Sequence, residues 1–431
     1  MKKPIKGMQA IVLILMFILF VAGCGNAKNT ADGGASETIA PAAATPIEIE
    51  FWHGVSELID KMTEAYNRSQ TKVIVKSVVV PNYYDGIVEK LQVQAAAKKM
   101  PDVVTMGLNY TKFAIETMHA ISLEPFIKKD AYDTSDYFPS MLNLGKTSEG
   151  QQIGMPFGIS TPVLFYNADQ FREAGLNPDA PPKTWDELSE YAKKLTTNGH
   201  YGVSVNIDYA WLFQALLQTL GGSMMAPDGK TVGIDSQAGV KTMKYVSDLI
   251  NADKSMPLLT NTQGWEAMSK GSISMFVNTS SGLETIRSQA KYELRTAPFP
   301  MHEGKRFVPA GGANLMIFAA DKAKQEASWD FIKYLTDTKQ AIPYAKSTGY
   351  MVSRKSSLND PDMAQYLKDK PAAKATYDQV DQMVPWFNFP GTGGSKFAKI
   401  ISDQVQAAMQ NQKTPEQAMK DAAAQANPLI R

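Results

Sequence analysis

The stretch from Ile47 to Met106 limits the fold more than any other part of the chain. Ile47-Glu-Ile-Glu-Phe-Trp52 alternates apolar and polar residues, the pattern of a strand with one buried face. Val55 to Tyr66 has helical spacing, with Leu58, Ile59, Met62 and Tyr66 on one side. Lys72 to Val80 predicts a second strand. Asp85 to Ala97 predicts a second helix, with Ile87, Leu91 and Val93 available for packing, and Pro101 to Met106 a third strand. Strand, helix, strand, helix, strand implies parallel pairing through crossover helices. Ligands of such sheets bind beyond the carboxyl ends of the strands. Here those ends are Trp52-His53-Gly54, Val80 to Tyr83 and Gly107 to Tyr110.

A second landmark is Gly158-Ile-Ser-Thr-Pro-Val-Leu-Phe-Tyr-Asn167. Val163 to Tyr166 has strand character, but Pro162 cannot donate a ladder hydrogen bond. This predicts a place where the chain leaves one body for another. Phe307 to Asn314 repeats the logic, with Pro309, Gly311 and Gly312 ahead of an apolar strand at Leu315 to Ala319. Thr348-Gly-Tyr350-Met-Val352 is a third candidate crossing. A chain of 431 residues exceeds one ordinary core. The expected fold is therefore α/β and two-lobed, each lobe a mostly parallel sheet with flanking helices, joined by a multi-strand hinge. The expected lobes are 47–158 plus 310–350 and 159–309 plus 351–431. Hinge closure around a guest belongs to this architecture.

Between the crossings the local signals are ordinary. Thr184 and Glu187 form a capping box for a helix from Trp185 to Leu195. Tyr201 to Val205 and Ile273 to Val277 are expected strands, and Leu294 to Phe299 is expected to be extended. Tyr209 to Thr219 and Gln237 to Asn251 are expected helices. Thr279, Ser280 or Ser281 is expected to cap a helix reaching Lys291.

The N-terminal region carries a targeting pattern. Lys2, Lys3 and Lys6 precede the apolar run Ile11 to Ala22, which is short for a membrane span. It ends in Val21-Ala-Gly-Cys24, which resembles a lipobox. The expectation is a signal peptide over 1–23, lipid on Cys24 and a flexible tether over 24–46, poor in large apolar residues. The body is then expected at the extracytoplasmic face of the cell membrane. Lys and Arg total 44 against 43 Asp and Glu, so no net field selects nucleic acid.

Enzyme motifs mostly fail. The four histidines are scattered, without metal spacing, and Cys24 is the one cysteine. Ser160 lacks the second glycine of a nucleophile elbow. Gly391-Thr-Gly-Gly-Ser-Lys396 misses the spacing of a phosphate loop and is expected to be a turn before a helix, able at most to offer N–H groups to an anion. No cofactor and no metal are expected. What remains is aromatic: Trp52, Tyr83, Trp211, Tyr350 and Trp386 all lie at element ends or turns. Rings with a few polar groups make pocket walls, and a flat ring suits the apolar face of a sugar. Core packing is the competing fate of each ring.

Several of these stretches together resemble a family. Phe51-Trp-His-Gly54, Ser160 to Asn167, Pro181-Pro-Lys-Thr-Trp185, Ser280 to Ile286, Gly311-Gly-Ala-Asn314 and Thr348-Gly-Tyr350 are similar to the extracellular solute-binding proteins of ABC importers. The likeness is to the sugar-binding branch, and within it to glycerol-phosphate binders, and it runs from about Ile47 to the C-terminus. The resemblance implies capture without catalysis and delivery to membrane permease subunits. By position it implies ligand contacts from Tyr83, Ser160, Trp211, Ser280 or Ser281, Gly311 or Gly312, and Tyr350. Three features depart from the glycerol-phosphate pattern: no carboxylate in Gly107 to Tyr110, Asp208 where a tryptophan is usual, and no arginine in Phe387 to Ser395. Arginine is favoured for phosphate, and Asp208 would repel it.

The expected ligand is thus a small polyhydroxylated solute, a mono- or oligosaccharide, bound by a monomer. A glycerol phosphate or glycerophosphodiester comes second, and a tethered glycan hydrolase, which needs an acid/base carboxylate pair, third. Trp211→Ala and Tyr350→Ala are expected to weaken binding with the fold intact.

Overall fold

The computed structural model describes residues 45–430, apart from 55, 198 and 392. The signal peptide, Cys24 and all but the end of the expected tether lie outside the described residues. Two sheets organise the body. The first contains β1 (Ile47–His53), β2 (Val73–Val79), β3 (Val103–Gly107) and β4 (Gly154–Ser160). The second contains β5 (Pro162–Asn167), β6 (Tyr201–Val205), β7 (Ile273–Thr279) and β8 (Leu294–Pro298). Three later strands follow, β9 (Val308–Pro309), β10 (Gly311–Ile317) and β11 (Met383–Val384).

The first sheet has the order β2-β1-β3-β10-β4. β1 pairs in parallel with β2 and β3, and β10 runs antiparallel to β3 and β4. The crossover helices are α1 (Glu57–Ser69) and α2 (Tyr83–Ala96), as the alternating pattern requires. α1 packs Ile59, Met62 and Tyr66 on one face of the sheet with Phe51, Val75 and Leu315. α2 packs Ile87, Val88 and Leu91 on the other with Val104, Met106 and Met316. β3 is buried along its whole length, as expected for an interior strand covered on both faces. Val93 corrects the expectation for α2: it is 67% exposed, because helix period turns it away from the stripe of Ile87 and Leu91.

The second sheet has the order β6-β7-β5-β8, with β5 antiparallel to both neighbours. One face carries the helices Trp185–Leu195, Ala210–Thr219 and Gln237–Asn251, with Gly394–Met409 and Pro415–Ala426 behind them. Thr184 and Glu187 form the expected capping box. Val163, Phe165 and Phe276 on the opposite face pack against Ile342 and Ala345 of the helix Thr338–Thr348. Tyr344 of that helix packs with the first sheet instead. Among the described residues no helix is long and apolar enough to cross a membrane.

The chain passes between the sheets where Gly and Pro mark it. One residue, Thr161, separates the last residue of β4 from the first of β5. Its hydroxyl lies 2.7 Å from that of Thr376 and accepts from Gln379 at 2.8 Å. β9 and β11 form a short parallel ribbon just before β10. Met351 N donates to Ile159 O at 2.7 Å, tying the third passage to the first. The second passage differs from expectation: the strand begins at Gly311 rather than Leu315. Gly312 has φ +109°, and a Cβ there would stand 1.9 Å from the carbonyl oxygen of Gly158. The glycine lets β10 approach β4 across a register shift instead of forming a turn ahead of it.

Candidate functional site

A cleft of about 280 Å³ opens beyond the carboxyl ends of β2 and β3, where they face the second sheet's helices. The first body supplies it from two short turns. After β2, Asn82 and Tyr83 are both left-handed, at φ 62° and 48°. This places Tyr83 at the rim, 59% exposed, and brings Tyr84 and Asp85 of the first helical turn to the wall. After β3, Asn109 and Tyr110 line the opposite side. Tyr110 donates its hydroxyl to Asp85 Oδ1. Asn109 Oδ1 is buried and has no hydrogen-bond partner.

The second body supplies Tyr209, Ala210 and Gln214 from one helix and Trp386, Phe387 and Phe389 from the segment after β11. Gln214 fixes that segment at both ends of its amide: Nε2 donates to Pro385 O and Oε1 accepts from Phe387 N, each at 2.9 Å. Trp386 stands edge-on to Tyr209 with centroids 5.9 Å apart and lies 6.0 Å from Trp211. Burial pushes the phenols of Tyr84 and Tyr110 up. They are neutral hydroxyls, each able to donate and accept. No lysine or arginine is among the residues lining this cleft.

The residues singled out from sequence divide into three groups. Tyr83 and Trp386 line the cleft itself. Ser160, Trp211, Ser281, Gly311 and Tyr350 form a layer behind it. Thr279 Oγ1 donates to Ser160 Oγ at 2.9 Å and lies 3.0 Å from Ser281 Oγ. A side chain on Gly311 would meet Ser160 Oγ at 2.8 Å and the Trp211 ring at 3.1 Å. Tyr350 stacks on Tyr344, with centroids 5.6 Å apart and planes 8° apart, and its hydroxyl lies near Ser281 and Tyr84. Tyr84 and Trp386 therefore connect this layer to the cleft.

The third group is held elsewhere in the structure. Trp52 is a core ring, 2% exposed between Ile87, Leu91 and Val104, with Lys90 Nζ 3.9 Å from its centroid. A strand end is as good a place for a core aromatic as for a cleft one. Asp208 lies beside Gln406 rather than in the cleft wall, and its Oδ1 is buried without a partner. Burial pushes its carboxyl up, against the opposing effect of Gln406. Ser280 closes the hinge: its N donates to Thr161 O at 2.9 Å, and its Oγ accepts from Thr161 N. Gly312 serves backbone approach, as described above.

Sequence reasoning missed Tyr84, Asp85, Asn109, Tyr110, Tyr209 and Gln214. It sought a carboxylate after β3 and found none. The carboxylate arrives instead from the first turn of α2, and the available signal was its place directly after a strand end. Among the described residues no cluster of His, Cys, Asp and Glu is arranged to hold a metal ion.

Two α/β bodies joined by returning strands, with an aromatic and hydroxyl-lined cleft at the carboxyl ends of strands, define a binding protein of the two-lobed kind. The model of bacterial extracellular solute-binding proteins matches residues 61–375, and the chain belongs to that family, which serves ABC importers. It is similar to the sn-glycerol-3-phosphate-binding periplasmic protein UgpB of Shigella dysenteriae, 25% identical over 416 residues, covering 89% of this chain and 92% of that protein. The fold matches UgpB from Mycobacterium tuberculosis in complex with glycerophosphocholine, at TM-score 0.79 and 22% identity, over 89% of this chain and 98% of the other. It also matches the cyclic alpha-maltosyl-1,6-maltose binding protein from Arthrobacter globiformis, at TM-score 0.74 and 22% identity, over 89% and 99%.

Proposed function

We propose that this protein captures a neutral polyhydroxylated solute, a mono- or oligosaccharide, in the cleft at Asp85, Tyr110 and Trp386 and presents it to an ABC permease without altering it. The observation that carries this reading is the polarity of the wall. Asp85 and the orphaned Asn109 Oδ1 are acceptors, and no cation is among the lining side chains. Sugar hydroxyls donate to such acceptors, whereas a phosphate brings only more acceptors and negative charge. Rings at Tyr83, Tyr209 and Trp386 supply apolar faces. Ser160, Ser281, Gly311, Tyr350 and Trp211 shape the layer beneath, and the lobes divide as 47–158 plus 310–350 and 159–309 plus 351–431. Lipid on Cys24 tethers a monomer to the extracytoplasmic face of the cell membrane.

A glycerophosphate is the second reading. It is favoured by the similarity to glycerol-phosphate binders and by Lys112 and Lys396, which line a neighbouring cavity with Gly391 and Ser395. Calorimetry with a sugar panel and with glycerol 3-phosphate separates the two. Micromolar binding of a sugar is expected, and tight binding of the phosphate alone overturns the carbohydrate reading.

A further inference from the structure

The segment after β11 is held by two amide side chains. Gln214 grips it from the second body at Pro385 and Phe387, as described above. Asn388, within the segment, ties it to the first body. Its Nδ2 donates to Leu108 O at 3.0 Å and to Trp386 O at 2.8 Å. Its Oδ1 accepts from Lys112 N at 3.1 Å. Both amide protons are thus engaged, each on a carbonyl. Lys112 N lies in the first turn of the helix Thr111–Glu116, where Tyr110 at the N-cap supplies no side-chain acceptor. The first N–H groups of a helix lack partners within it, and Asn388 provides one from outside.

These anchor points bracket the cleft wall. Leu108 and Lys112 flank Asn109 and Tyr110, which carry the orphaned Oδ1 and the hydroxyl donated to Asp85. The third anchor is Trp386, whose ring lines the same cleft. Asn388 itself is not among the residues lining it. On the other side of the segment lies a cavity of about 490 Å³, lined in part by Pro385, Trp386 and Asn388. That open space gives the segment room to fall back. The ring neighbours of Trp386 are Tyr209 and Trp211, both of the second body. The hydrogen bonds of Asn388 therefore set where the ring stands relative to the first body.

We infer that Asn388 is a positioning residue for solute binding: by tying Trp386 to the Asn109–Tyr110 turn, it fixes the width of the cleft and so the thickness of guest the cleft accepts. It acts through the ring without touching the guest. This inference rests on the cleft being the solute site, as proposed above. Asn388→Ala removes all three bonds. Asn388→Asp keeps the size of the side chain and the acceptor for Lys112 N, but it loses both donors and sets a carboxylate against two carbonyl oxygens.

The test has one readout without ligand and one with it. The chain has six tryptophans, so incorporated 5-fluorotryptophan gives six fluorine signals, and Trp386→Phe identifies the one from Trp386. In the unliganded full chain, both Asn388 variants are expected to shift or broaden that signal and to leave those of Trp52, Trp185 and Trp329 in place. Calorimetry then uses glucose, maltose, maltotriose and glycerol 3-phosphate as probes, with the melting temperature of each variant measured alongside. Asn388→Ala is expected to weaken sugar binding about tenfold. In a Trp386→Leu background, which keeps an apolar wall but no ring, the further loss is expected to be less than roughly twofold. A residue that only stabilises the fold would cost the same factor in both backgrounds. An unmoved Trp386 signal in both variants overturns the inference, and so do equal losses in the two backgrounds; either result leaves the carbohydrate reading standing. If no sugar binds, the carbohydrate reading fails, and the fluorine signal alone decides whether Asn388 places the ring.

Discussion

The hydroxyls of Tyr110 and Ser395, 285 positions apart in the chain, meet at 3.0 Å beside the cleft. Tyr110 follows a strand of the first sheet, and Ser395 opens a helix packed behind the second. The contact thus links the two bodies through the same phenol that donates to Asp85. Ser395→Ala removes this link while keeping the Tyr110 to Asp85 bond. A neutral hydrogen bond contributes about 1 kcal/mol, so solute affinity is expected to fall roughly fivefold. Small-angle scattering of the unliganded variant is expected to show a larger radius of gyration than wild type. Unchanged scattering and affinity would show that the contact does not bias closure.

Asp85 is the charged acceptor of the cleft wall. Asp85→Asn keeps its size and removes its charge. Hydrogen bonds to charged groups contribute about 1.5–3 kcal/mol, so sugar affinity is expected to drop by roughly 10- to 150-fold. Weak binding of glycerol 3-phosphate is expected to improve, because a negative charge leaves the wall. Calorimetry with both ligands reads the two effects in opposite directions.

Trp211 and Tyr350 now separate, although the sequence treats them alike. Trp211 is 2% exposed within the core of the second body. Trp211→Ala is therefore expected to cost about 3–5 kcal/mol of stability, which chemical denaturation measures. Tyr350→Phe keeps the stack on Tyr344 and loses only the hydroxyl near Tyr84 and Ser281. Its expected signature is a modest loss of affinity at an unchanged melting temperature.

Asp208 gives a pH dependence. Burial raises its carboxyl in the folded protein, so the folded state holds that proton more tightly than the unfolded chain does. Its destabilising effect is complete above the raised value and is relieved as pH falls through it toward the ordinary carboxylate range. Asp208→Asn is expected to raise the melting temperature at neutral pH by roughly 1–2 °C and to flatten the profile on the acid side. Solute affinity is expected to stay unchanged, since Asp208 does not line the cleft. A binding defect in this variant would return Asp208 to the site.

Much of the fold was legible because local and global preferences agree. The alternation at Ile47 to Trp52, the capping box at Thr184 and Glu187, and the break at Pro162 each have one physical reading, and each appears in the structure. Gly311 and Gly312 misled because a glycine pair signals a turn and a close strand approach equally well. Position and ring type could not decide between core and cleft for Trp52. The cleft was less legible than the sheets. Its polar residues come from Tyr84, Asp85, Asn109 and Tyr110, which share no motif and are assembled by the parallel pairing of β1 with β2 and β3. The carboxylate was sought on one strand end when topology delivers it from the next.

The single-residue passage at Thr161 has a mechanical meaning. A link that short, clamped by Thr376 and Gln379, leaves no slack for one half to slide past the other. Relative motion must become torsion about the neighbouring bonds, as in a stiff pivot. The mouth can then swing wide while the depth of the gap near the axle hardly changes. Discrimination between guests would reside deep, and their admission at the outer edge.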